Sequence, residues 1–128
     1  MTLTKDSPKS EIIAEWVRRL RSGNYTQTQR VLRNKDSFCC LGVLCEVAVD
    51  AGVIPPAVSR PNHPSLFVYD GQDRTLPQSV ADWAGVGKAG DYGPGIMESL
   101  ASKNDYGYSF EEIANLIESN PQNLLKER

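Results

Sequence analysis

The sequence predicts a single α+β domain, mainly helical with one or two small antiparallel hairpins. Three observations predict it. Apolar residues recur at three- and four-residue spacing in several short windows, most clearly at Ile12, Ile13, Trp16, Val17 and Leu20. Turn-forming clusters divide two further stretches, at Arg33-Asn34-Lys35-Asp36 and at Asp70-Gly71-Gln72-Asp73. The chain of 128 residues is long enough to bury one core without staples and too short for two. We therefore read residues 1–128 as one domain, with 1–6 and 122–128 as flexible tails.

Each element follows from local chemistry. Ser7 and Pro8 read as the N-cap and first position of a helix that ends at Gly23, with Arg18, Arg19 and Arg21 in its last turn. Residues 25–38 read as a hairpin. A second helix is expected from Gly42 or Val43 to Ala51; it is apolar on most sides and so belongs at the centre. Pro55, Pro56, Pro61 and Pro64 make residues 53–65 a loop with little regular structure. Leu66–Tyr69 and Arg74–Leu76 flank the second turn as a hairpin. Pro77 opens a short helix that buries Val80, Trp83 and Ala84 and stops at Gly85. Four glycines and a proline make residues 86–95 a loop, and Ile96, Met97, Leu100 and Ala101 suggest another short helix. Ser109 with Glu112 is a capping box, and the helix it opens buries Phe110, Ile113, Leu116 and Ile117 before Asn120-Pro121 terminates it.

Charge is divided unevenly. Residues 1–38 carry eight basic and four acidic side chains, +4, and the remainder six basic and twelve acidic, −6, which together give the net −2. A basic end on an acidic molecule steers acidic partners, and the same arginines also complement a helix dipole. No apolar run approaches the length of a membrane span. The polar N-terminus lacks a signal-peptide core, so the expected compartment is the cytoplasm.

Trp16 with Leu20, Arg21-Ser22-Gly23, Tyr25 and Gln27 lead into Phe38-Cys39-Cys40-Leu41-Gly42-Val43-Leu44-Cys45. Further on stand Leu76-Pro77, Val80, Trp83-Ala84-Gly85, Leu100-Ala101, Asn104-Asp105, Gly107, and Ser109-Phe110 through Glu112-Ile113-Ala114. Together these resemble a family of small, mostly uncharacterised proteins of bacteriophages and of bacterial genomes carrying mobile elements. The resemblance covers about residues 12 to 118, the FCCLGVLC string is its most specific part, and Lys103 stands where an apolar residue is expected. It implies a phage accessory gene acting in a bacterial host, of host-takeover or anti-defence type, and brings no catalytic residues with it.

The residues that could carry chemistry are few. Cys39, Cys40 and Cys45 could supply a nucleophile, with His63 as the one imidazole. The competing reading, small soft side chains packed between a strand and a buried helix, is favoured. It expects Phe38, Leu41, Leu44 and at least one cysteine to be nearly buried, and Gly42 to lie where backbone approaches closely or φ is positive. A zinc site is disfavoured because adjacent strand residues point to opposite faces. A helix-turn-helix through Ser109–Ala114 would need its recognition helix in residues 121–128, about two turns in an acidic half of the chain, so DNA is not the expected partner. The glycines from Gly85 to Gly95 carry no GxxxxGKS/T string and no preceding strand, so they read as a connector rather than a phosphate cradle.

The expected function is non-enzymatic binding of a host protein through Arg18, Arg19, Arg21, Arg30 and Arg33, without cofactor, metal or membrane. One alternative is sequestration of a small signalling nucleotide, with those arginines on phosphates and Tyr92, Tyr106, Tyr108, Asn104 and Asp105 around a base. A cysteine-dependent hydrolase is the other.

Overall fold

The computed structural model describes residues 3–92 and 98–119. Among these residues five helices pack beside one five-stranded sheet, an α+β fold. In chain order these are α1 (Lys9–Arg21), β1 (Thr26–Gln27), β2 (Arg33–Asn34), β3 (Ser37–Phe38), α2 (Cys40–Asp50), β4 (Val58–Arg60), β5 (His63–Val68), α3 (Gln78–Ala84), α4 (Leu100–Asp105) and α5 (Phe110–Ser119). The sheet order is β1-β3-β2-β5-β4. The β1–β3 pair is parallel and the other three pairs are antiparallel.

The apolar spacing of α1 buries Ile12, Trp16, Val17 and Leu20 against α2, α3 and α5. Pro8 itself occupies the cap position, one residue later than the sequence suggests, because the Ser7 hydroxyl turns back to accept from the Thr4 N–H at 2.8 Å. Central α2 buries eight of its eleven residues and starts at Cys40, two residues earlier than its first expected position at Gly42. The earlier start has a cause: Cys39 Sγ accepts from the Gly42 N–H at 3.4 Å and so caps the helix. Phe38, Cys39, Cys40, Leu41, Leu44 and Cys45 are all buried, as the packing reading requires. Gly42 is needed for close approach, since a Cβ there would run into the Leu32 carbonyl oxygen.

The sheet departs most from expectation. The first hairpin forms, but only around Lys35-Asp36. Arg33 and Asn34 are strand, and β1 joins β3 in parallel. The β4–β5 hairpin, residues 58–68, begins inside the 53–65 stretch expected as a loop. Prolines permit this because Pro61 lies in the connection, while Pro64 falls at the register shift beside Ser59 and Arg60, where no ladder bond needs its missing N–H. Asp70 and Gly71, with φ of 49° and 83°, make the expected tight turn, closed by Tyr69 pairing with Gln72. Arg74–Leu76 does not return as a strand, because Leu76 donates instead to the Lys88 carbonyl.

α3 is as expected, with Gly85 left-handed at its end. The fourth helix runs Leu100–Asp105, capped by Ser99, which lies later than the expected start. Ile96, Met97, Gly93, Gly95, Asn120-Pro121 and the 122–128 tail lie outside the described residues. Ser109 and Glu112 make both bonds of the capping box, at 3.1 and 2.9 Å. The helix they open buries Phe110, Ile113, Ala114 and Ile117; Leu116 is only partly buried. No helix among the described residues is long and apolar enough to cross a membrane.

Candidate functional surface

The cysteines sit where chemistry is hardest. All three are free and buried, and burial pushes the Cys39 thiol up to about 11 and those of Cys40 and Cys45 well above the ordinary range. Cys40 Sγ lies 3.7 Å from the Leu100 carbonyl. His63 is exposed on β5, its ring 3.3 Å from the Ser65 hydroxyl. Among the described residues no cluster of His, Cys, Asp and Glu could hold a metal.

Asn104, expected around a ligand, is completely buried and committed to the fold. Its Oδ1 accepts from the Cys40 N–H at 3.1 Å and from Gln27 Nε2 at 2.8 Å, and its Nδ2 donates to the Thr28 carbonyl at 2.8 Å. It thus caps α2 from a different helix and joins the two strings that carry the family resemblance. Tyr92 is half-buried against the core.

The arginines of α1 are also engaged. Glu15 takes Arg18 at 2.6 Å and Arg19 at 2.7 Å, and Arg19 reaches Asp50 at 2.8 Å. Hydrogen bonds from Arg18, assisted by Arg19, hold the Glu15 carboxyl down to about 2. Arg21 pairs with Glu111 and Glu118 of α5 and donates to Asn115. Arg33 lies between the Phe67 and Phe38 rings, 4.3 and 5.1 Å from their centroids, with Glu46 at 3.7 Å. Glu15 from the basic half itself, and Glu46, Asp50, Glu111 and Glu118 from the acidic remainder, therefore neutralise much of the basic charge within the molecule, which a charge count along the sequence does not reveal.

Arg30 behaves differently. Its N–H donates to Asp105 Oδ1 at 2.8 Å, but its side chain is exposed and makes no ion pair among the described residues. Next to Asp105 is Tyr106, 71% exposed, followed by Tyr108, over whose ring Lys103 Nζ sits at 5.1 Å. Arg74 Nη1 lies 3.5 Å from the Arg30 carbonyl. The structure thus gathers Arg30 from one expected set and Asp105, Tyr106 and Tyr108 from the other into one exposed rim. Arg74 is the residue that sequence reasoning overlooks; it stands alone in a turn, and its spacing carries no signal.

A family model described as a domain of unknown function, DUF8296, matches residues 8–121. No curated protein and no solved structure matches the chain.

Proposed function

The chain belongs to the DUF8296 family, and from its surface we propose that it is a non-enzymatic accessory protein of phage origin that binds a host macromolecule, a protein, in the bacterial cytoplasm. The observation that carries this reading is the rim. Tyr106 is the most exposed large apolar side chain among the described residues, and its chain neighbour Asp105 holds the N–H of Arg30, whose guanidinium makes no ion pair among those residues. Tyrosine and arginine are the residue types that dominate binding hot spots. The buried, protonated cysteines and an exposed imidazole that meets the Ser65 hydroxyl favour binding over thiol hydrolysis. The arginines of α1 and β2 then contribute less than Arg30, because their charges already have partners.

A pull-down from bacterial lysate tests this. One dominant protein is expected, lost with Tyr106→Ala or Arg30→Glu and weakened less by Arg18→Glu. Equal recovery by all three variants overturns the reading. Nucleotide sequestration uses the same Arg30 and Tyr106, and thermal-shift screening distinguishes it: a nucleotide at a hundred times its dissociation constant adds about 2.7 kcal/mol. A nucleotide-dependent shift lost in Arg30→Glu would favour that alternative.

A further inference from the structure

We infer that Arg30 is an anion-recognition residue set in place by Asp105, and that the partner meets it with the carboxylates of an acidic protein segment. This rests on the proposed reading of the rim as the binding surface and names what it binds.

The backbone argues first. Arg30 has φ of 73°, in the left-handed region where a side chain with Cβ is disfavoured and glycine is the ordinary occupant. Among the described residues two other non-glycine residues share this feature, Lys35 and Asp70, and both sit in tight turns between paired residues, where φ > 0 is required. Arg30 lies in the bend between β1 and β2, which do not pair with each other, so no paired residues close a tight turn around it. It is held instead by its N–H bond to Asp105 at 2.8 Å. A long cationic side chain at a position suited to glycine, with no internal partner among the described residues, is consistent with an external one.

Charge identifies the partner. Arg74 brings a second guanidinium to the Arg30 carbonyl, and the carboxylate next to it, Asp73, is already paired with Arg60 at 2.9 Å. Arg30, Arg74 and Lys103 therefore outnumber Asp105 on the rim. Planar guanidiniums match carboxylates and phosphates alike, but polynucleotide binding draws on many phosphate contacts. Three cations on a chain of net charge −2 suit a short acidic segment better. Tyr106 adds an apolar face beside them.

The test uses the full chain and fluorescein-labelled octaglutamate at low salt, with octaglutamine as the neutral control and oligothymidylate as the phosphodiester. Octaglutamate is expected to bind saturably and to weaken with salt, while octaglutamine does not bind. Arg30→Gly should weaken binding about tenfold or more and leave the melting temperature equal or higher, since glycine suits the backbone. Asp105→Ala should weaken binding even though it removes a like charge, and Asp105→Asn, which still accepts from the Arg30 N–H, should restore it. Unchanged binding in Arg30→Gly, tighter binding to oligothymidylate, or tighter binding in Asp105→Ala would each overturn the inference. The two readings fail separately. A lysate partner lost in Tyr106→Ala but kept in Arg30→Gly leaves the surface standing and removes the carboxylate site. Octaglutamate binding that depends on Arg30, with lysate recovery indifferent to both residues, overturns the host-protein reading instead.

Discussion

Asn104 and Asp105 are adjacent at the end of α4 and do opposite things. Asn104 is buried, and its amide ties α4 to Cys40 and to the backbone after β1. Asp105 is exposed and its carboxylate accepts from the Arg30 N–H, at the foot of a rim whose side chains project into solvent. The α1 arginines and Arg30 repeat the contrast: the former are joined to Glu15, Asp50, Glu111 and Glu118, while the guanidinium of Arg30 is not. Residue type and neighbourhood in sequence do not separate a fold-holding polar group from a partner-seeking one. What separates them is whether the donors and acceptors are already matched inside the molecule.

The junction under α2 should be where the fold breaks first. Gly42→Ala drives a methyl group into the Leu32 carbonyl, where every close neighbour is backbone and no flexible side chain can yield. A loss of about 3 kcal/mol or more is expected, a large share of the roughly 5–15 kcal/mol a domain has in total, and the urea midpoint should fall accordingly. A substitution that left the midpoint unmoved would mean that α2 can shift away from β2.

The two neighbours on α4 give the sharpest form of the comparison. Asn104→Ala strands the Cys40 N–H and the Thr28 carbonyl in the interior and should cost about 2–3 kcal/mol. Asp105→Ala should cost no more than about 0.5 kcal/mol, as at other surface sites. Equal losses in denaturation would erase the distinction between junction and rim.

The α1 ion pairs should register as a pH effect. The Glu15 carboxyl is held at about 2, below its ordinary 4.5, so its stabilisation is fully present above the ordinary value and is lost as pH falls through the lowered one. Glu15→Gln should therefore be less stable than the parent at neutral pH, by about 1 kcal/mol or less. The gap should close between about pH 4.5 and 2 when both proteins are melted across that range.

The smallest effect is expected at Cys39. Burial of an unpaired hydroxyl would argue for a cost in Cys39→Ser, but Sγ caps α2, and serine is a better capping residue. The change should stay within about 0.5 kcal/mol. Iodoacetamide, meanwhile, should label the parent's three thiols only on unfolding, because burial keeps them protonated at neutral pH. Rapid labelling of the folded protein would return the string to candidate reactive sites.

The α+β class and most of the helices were legible because their signals are local. The apolar spacing of α1, the left-handed Gly85 and the Ser109–Glu112 box each complete their interactions within a turn or two of chain, so residue order alone determines them. The buried FCCLGVLC string was legible for the same reason, since a helix apolar all round has to be central. The rest is non-local. Strands of two residues have no period to read, and the parallel β1–β3 pairing needs a partner the local pattern does not name. Asn104 reaches Cys40 across 64 positions, and Arg21 reaches Glu111 across 90. Which arginines are neutralised and which is left facing out depends on distances that exist only once the helices and sheet have packed, because Coulomb and hydrogen-bond energies follow separation in space rather than along the chain.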